Sequence, residues 1–194
     1  MKLLHIDSSA LGNHSVSRQL TADIVTELRR STPITSMSYH DLAAQPLPHW
    51  VPAAGAGDPG AVLGNQVLEE FLAADIVVIG APMYNFAISS QFKAWLDRIL
   101  AAGKTFRYTE NGPEGLAGGR RVIIASSRGG FYGKDTPAAA MDFHEPYLRA
   151  AFGFIGITDL EFVRAEGLAI GAKQKAAALA SARHHIGTLT ARAA

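Results

Sequence analysis

Residues 75–80, Asp-Ile-Val-Val-Ile-Gly, set four β-branched apolar side chains in a row: Ile76, Val77, Val78 and Ile79. Such side chains are stiff at χ1 and suit a pleated strand. A run with no polar alternate has no face for water, so the strand must be covered on both sides. That is the position of a central strand in a parallel sheet. Parallel neighbours cannot be joined by a tight turn, so a crossover, usually a helix, must follow each strand.

The rest of the chain has that alternation. Residues 2–7 form a short apolar run ending in Ser8 and Ser9, and residues 17–30 follow with Leu20, Ile24, Val25 and Leu28 at helical spacing. Residues 34–39 read as a strand and 61–73 as a helix. After the central strand, Phe92, Trp95, Leu96 and Ile99 make the core stripe of a helix that starts at Ser89 or Ser90. A strand at 120–125, a helix at 142–154, a strand at 159–163 and an Ala-rich helix from 172 complete the chain. Strand and helix alternate about five times, which predicts an α/β domain with a parallel sheet. Residues 41–60, with Pro46, Pro48, Pro52 and Pro59, read as a long surface loop. With no repeat and no second core, residues 1–194 are expected to form one domain.

Composition removes several classes of function. Eighteen Lys and Arg stand against 17 Asp and Glu, a net charge of +1, which speaks against a nucleic-acid protein. There is no lysine-rich amphipathic face for a membrane surface and no apolar run of spanning length. Residues 1–7 are too short an apolar stretch for a signal segment, so a cytoplasmic protein is expected. The chain has no cysteine, which rules out disulfides, thiolate nucleophiles and cysteine-held metals or clusters. Its seven histidines show no ligand spacing; His184 and His185 project about 100° apart on a helix, so no metal is expected. Gly55, Gly57 and Gly60 fit G-x-G-x-x-G, but they follow a Pro-rich loop rather than a strand. No G-x-S-x-G elbow supports an esterase.

Ligands of open parallel sheets bind beyond the carboxyl ends of the strands, and three loops there are chemically unusual. The first, residues 8–17, carries Ser9, Ser15 and Ser17 in front of a helix, whose free N–H groups and partial positive charge suit a phosphate. The second is Ala81-Pro82-Met83-Tyr84-Asn85-Phe86, able to wall a planar ring. In the third, Ser127-Arg128-Gly129-Gly130, the glycines let backbone approach a ligand closely. Each also has a plain structural reading, as cap, apolar cluster or turn; their coincidence at one edge is the signal.

The three strings, in order, resemble the FMN-dependent NADH-azoreductase (NADH:quinone oxidoreductase) family of flavodoxin-like proteins. Ser9 with Ser15-Val16-Ser17, the segment 81–86 and Ser126-Ser127-Arg128-Gly129-Gly130 correspond to its FMN loops, and residues 105–115 and 152–157 to two further segments. The resemblance covers nearly the whole chain. It implies a three-layer sandwich around a five-stranded parallel sheet in the order 2-1-3-4-5. It implies that Ser9, Ser15, Val16 and Ser17 hold the FMN phosphate, and that Met83, Tyr84, Asn85, Phe86, Ser127, Arg128, Gly129 and Gly130 hold the ring and ribityl chain. Tyr108 and one of Phe152 or Phe154 would line the substrate side. From its place at a helix start behind the third loop, His144 is a further substrate-side candidate. No side chain is expected to act as a catalytic nucleophile, since the flavin carries the chemistry. The stretch between Pro46 and Gln66 is shorter than in some members, which bears on substrate preference rather than cofactor binding.

The implied activity is two-electron transfer from NADH or NADPH to quinones, with reductive cleavage of azo compounds, in a ping-pong sequence. The alternative is a flavodoxin-type electron carrier; such carriers are usually strongly acidic, and this chain is near neutral. A homodimer is also expected, because Pro48, Trp50, Val51, Phe106, Tyr108, Phe131 and Tyr132 lie outside the sheet core, where a monomer would expose them together. The resemblance implies a substrate pocket shared between the two chains, and residues 104–107 read as a charged rim loop beside it.

Overall fold

A computed structural model describes residues 1–52, 54–55 and 57–190. In chain order the elements are β1 (Lys2–Asp7), α1 (Val16–Ser31), β2 (Ser36–Asp41), α2 (Pro59–Ala73), β3 (Ile76–Pro82) and α3 (Ser90–Ile99). They continue with β4 (Phe106–Thr109), β5 (Gly112–Gly115), β6 (Arg121–Ser127), α4 (Glu145–Phe154), β7 (Asp159–Ala165) and α5 (Ala172–Thr190). Five strands form one parallel sheet in the order β2-β1-β3-β6-β7, which is 2-1-3-4-5 when only its own strands are numbered. The expected flavodoxin-like arrangement is therefore present, with the residues 75–80 run at its centre.

The central strand shows why the molecule has three layers. Ile76 and Val78 point to one face, where Leu20, Ile24 and Leu28 of α1 and Ala178, Ala182 and Ile186 of α5 cover them. Val77 and Ile79 point to the other, against Phe71 of α2, Phe92, Trp95 and Leu96 of α3, and Leu148 and Phe152 of α4. All seven residues of β3 are buried. Fully burying one such side chain contributes roughly 1.5–3 kcal/mol, and the sheet repeats this on both faces. Gly80 pairs with Asp7 across β1 and β3, and a Cβ there would collide with the Asp7 carboxylate.

Helix starts follow local chemistry. Ser15 caps α1 by accepting from the Arg18 amide, Asp58 caps α2 with Pro59 in its first position, and Ser89 caps α3. The α2 helix thus begins two residues before the apolar pattern does. The α4 helix begins at Glu145, later than 142, because Asp142 Oδ1 turns back to accept from the amides of His144 and Glu145 at 3.0 and 3.1 Å. One feature is absent from the sequence reading: β4 and β5 pair as a separate antiparallel hairpin. The hairpin corrects two surface expectations. Thr105 and Phe106 are buried rather than part of a charged rim loop, and Phe106 packs on Phe154 with ring centroids 4.6 Å apart. Tyr108, Trp50, Val51 and Phe131 are exposed, as expected.

Candidate cofactor site at the carboxyl edge

The three unusual loops leave β1, β3 and β6 side by side and are tied to one another. Ser8 donates from both its amide and its hydroxyl to the Gly80 carbonyl, at 3.2 and 2.7 Å. The Tyr84 hydroxyl lies 3.1 Å from Ser9 Oγ and accepts from the Ala10 amide at 3.1 Å, linking the first loop to the second. The Met83 amide donates to the Ser127 carbonyl at 2.9 Å, linking the second to the third. Between them opens a cleft of about 290 Å³, walled by Ser9, Ser15, Val16, Met83, Tyr84, Ser127, Arg128 and Gly129 among others.

In the first loop Ser15 is fully buried, and its hydroxyl sits 3.0 Å from Ser17 Oγ and 3.2 Å from the Arg18 amide it caps. The amides of Val16 and Ser17 open the helix and so have no carbonyl of their own turn to bond. In the second loop Tyr84 and Ala87 exchange backbone hydrogen bonds at 2.9 and 3.0 Å around Asn85 and Phe86, whose φ angles are +47° and +72°. That is a two-residue turn with both central residues left-handed, at roughly 1–3 kcal/mol each for residues other than glycine. Surrounding bonds hold the strain: the Phe143 amide donates to the Phe86 carbonyl at 3.1 Å, and the Phe86 ring meets Tyr132 edge-on. The third loop is laced to the segment after β7. Arg128 donates to the Ala165 carbonyl, and Leu168, Ala169 and Gly167 donate to the carbonyls of Arg128, Gly129 and Gly130, all at 2.9–3.1 Å. The amides of Asn85, Phe86, Gly129 and Gly130 donate to no acceptor among the described residues.

Arg128 does not offer its guanidinium to the cleft. The side chain is 1% exposed and sits in a cage of carboxylates: Asp142 at 3.0 Å, Glu166 at 3.2 Å and Glu145 at 2.6 Å. The Glu145 contact is an ion pair out of hydrogen-bond alignment. Glu145 is also forked by Arg164, with both distances 2.6 Å. Arg128 thus fastens the glycine loop to the start of α4 and the end of β7.

His144 is corrected too. It is neither a surface residue nor placed to meet a substrate: it is fully buried, and neither ring nitrogen makes a well-aligned hydrogen bond among the described residues. Burial, reinforced by the Arg128 charge, pushes its pKa down to about 4 against weaker opposition from Glu145, Asp142 and the Ala81 backbone. Phe152 is fully buried in the core under α4, so it cannot line a substrate pocket, and Phe154 lies beside it against Phe106. Tyr108 is 75% exposed on the hairpin and is not on the wall of this cleft. Ser17 lies behind Ser15, while Asn85, Phe86 and Gly130 flank the cleft without lining it.

The sequence reading missed Leu11, His14, Leu168, Ala169 and Lys175 on the same wall. The last three follow β7, which also ends at this edge, and the carboxyl-edge rule applied to that strand would have found them. A second cleft, about 570 Å³, lies beside the end of β2 between Leu42, Leu47, Val67 and Trp95, with the His40–Glu70 pair at 2.5 Å on its wall. None of the three loops reaches it.

Residues 1–189 match the family model described as flavodoxin-like fold. The chain is 60% identical over 194 residues to an FMN-dependent NADH:quinone oxidoreductase of Methylocella silvestris, covering 94% of this chain and 95% of the relative. A protein of the same name from Rhizobium meliloti is 55% identical, with 96% and 95% covered. Among solved structures, an FMN-dependent NADH-azoreductase from Bacillus anthracis in complex with FMN superposes with a TM-score of 0.87 at 26% identity, covering 100% of this chain and 99% of that one. By sheet order, by the match over nearly its whole length and by these identities, the chain belongs to the flavodoxin-like family that contains those oxidoreductases.

Proposed function

We propose that this chain is an FMN-dependent oxidoreductase that passes two electrons from NADH or NADPH to quinones and cleaves azo compounds to aromatic amines. The observation that carries the reading is one cleft walled by a serine-capped helix start and a glycine loop and flanked by a strained aromatic turn whose central amides have no acceptor among the described residues, in a chain 60% identical to a quinone oxidoreductase.

The donor set fits FMN. Ser9, Ser15 and the first amides of α1, at Val16 and Ser17, present hydrogen bonds and partial positive charge to a phosphate. Met83, Tyr84, Asn85 and Phe86 with Ser127, Gly129 and Gly130 hold the ribityl chain and ring, the amides of Asn85, Phe86, Gly129 and Gly130 having no acceptor among the described residues. Arg128 serves by holding that loop in place. When bound, FMN supplies the hydride acceptor and donor, which no side chain of this site can replace. The protein binds, orients and shields. A quinone takes one pair of electrons; an azo bond takes two pairs on its way to two amines, hence two rounds.

Donor and acceptor use one open face in turn, the ping-pong pattern. The working unit is a homodimer in the cytoplasm, and Tyr108 and Phe154 serve the substrate side from the partner chain, since neither lines the cleft of its own chain. The test is the absorbance spectrum of the purified protein, then NADH oxidation with and without a quinone. A colourless protein that binds no added FMN, or NADH consumption indifferent to the quinone, would overturn the reading.

A further inference from the structure

Three basic residues line the cleft, His14, Arg128 and Lys175, with Arg18 bonded to its serine loop, and the two arginines are already engaged. Arg18 forks Asp41 with both distances 2.6 Å and gives a further N–H to the Ser9 carbonyl at 2.8 Å. Asp7 lies 3.9 Å from the same guanidinium and is itself buried, so this neighbourhood holds two carboxylates against one arginine. Arg128 is enclosed by Asp142, Glu145 and Glu166. His14 and Lys175 remain; both line the cleft and are exposed, and neither side chain has an ion pair or hydrogen bond among the described residues. Lys175 lies in the first turn of α5, which packs beside α1, so both helices start at the edge where β1 and β7 end.

The charge balance decides what this lysine does. A phosphate monoester carries about −1.5 to −2 near neutral pH. A helix start offers the equivalent of roughly +0.5, and the serines add donors without formal charge. The arginine nearest the phosphate loop is neutralised by its carboxylates. Resting on the FMN reading, we propose that Lys175 is the counter-cation of the cofactor's phosphate monoester and sets the preference of this site for FMN over riboflavin. Lys175 of α5 lines the same cleft as Ser9, Ser15 and Val16, and in this role its ammonium would give the phosphate three donors and a full charge.

The test is equilibrium titration of the full-length apoprotein with FMN and, separately, with riboflavin, followed by flavin fluorescence at low and high salt. Lys175→Gln should weaken FMN binding about tenfold at low salt and less at high salt, because an exposed charge pair is screened. Riboflavin affinity should stay where it is, and Lys175→Arg should restore most of the FMN affinity. Equal loss of both ligands would mean a merely structural role, and no loss of either would mean the lysine is a bystander; both overturn the proposal. A selective loss of FMN in His14→Gln but not in Lys175→Gln overturns it as well, by moving the charge to the other side chain. Wild-type protein that fails to bind FMN would instead overturn the cofactor reading. That result is distinct from a wild type that binds FMN and a Lys175→Gln variant that binds it equally well.

Discussion

Arg128 and Glu145 meet at 2.6 Å inside the protein, and the other oxygen of Glu145 is held at the same distance by Arg164. One carboxylate at the start of α4 therefore anchors the glycine loop after β6 to the last strand of the sheet. Removing one partner of a buried pair leaves the other charged and unsolvated, which typically costs about 3–5 kcal/mol. Arg128→Met should destabilise the protein by about 3 kcal/mol in urea unfolding, the lower end because Arg164 still serves Glu145. Arg128→Lys keeps the charge without the fork and should recover part of the loss. A methionine variant within 0.5 kcal/mol of wild type, roughly the scatter of neutral surface changes, would show that the cage contributes nothing.

His144 makes stability depend on pH in a window above the carboxylate range. Its folded pKa is about 4, below the ordinary value of about 6.5. The unfolded chain therefore takes up a proton that the folded one refuses, and its contribution is complete above pH ~6.5 and falls away as pH drops toward 4. At 1.36 kcal/mol per unit the full loss is roughly 3 kcal/mol. His144→Gln should flatten the slope of unfolding free energy between pH 6.5 and 5; a slope unchanged from wild type would contradict the assignment.

Ser15 has two roles, and the paired variant separates them. Its hydroxyl caps α1, so Ser15→Ala should lower stability by about 1 kcal/mol. Ser15→Ala with Ser17→Ala should weaken FMN binding at least tenfold if these serines hold the phosphate. Reduced stability with unchanged FMN titration would leave the cap and remove the phosphate assignment.

The hairpin gives a contrast between neighbours. Phe106 is buried and Tyr108 is 75% exposed. Phe106→Asp should unfold the protein, losing about 3 kcal/mol or more, since a charge would replace a core ring. Tyr108→Asp should leave monomer stability within about 0.5 kcal/mol while weakening the proposed dimer and lowering quinone turnover, with FMN binding intact. Light scattering and activity on the same sample check it, and a Tyr108→Asp monomer with full turnover would remove the partner chain from the site.

Much of this arrangement is legible in the residues themselves. The unbroken Ile76–Val77–Val78–Ile79 run calls for burial on both faces, and the helical stripes either side of it supply the cover. Serines before α1 and glycines after β6 mark strand ends of the kind that approach a ligand in open parallel sheets. What the chain hides are directions and long-range partners. Nothing in Ser-Arg-Gly-Gly tells that Asp142, Glu145 and Glu166, from two later elements, will converge on Arg128 and turn it from the cleft. His144 reads as a helix-start residue because burial against Ala81 and Arg128 is a tertiary fact. The hairpin at 106–115 escapes because its strands are four residues long and one contains Pro113. Phe106 looks like a loop aromatic until Phe154 covers it.

The activity proposed for this chain is to take electrons from a nicotinamide and hand them to a small acceptor. Anaerobic mixing of the FMN-loaded protein with NADH, or NADPH, and no acceptor should bleach the oxidised-flavin absorbance, one equivalent of nicotinamide per flavin. Adding a quinone after the oxidised nicotinamide has been removed should restore that absorbance fully. Absorbance that stays until donor and quinone are present together would contradict the shared-face sequence of steps. A reduced protein that a quinone cannot reoxidise, but a redox protein can, would contradict the enzyme itself and leave an electron carrier.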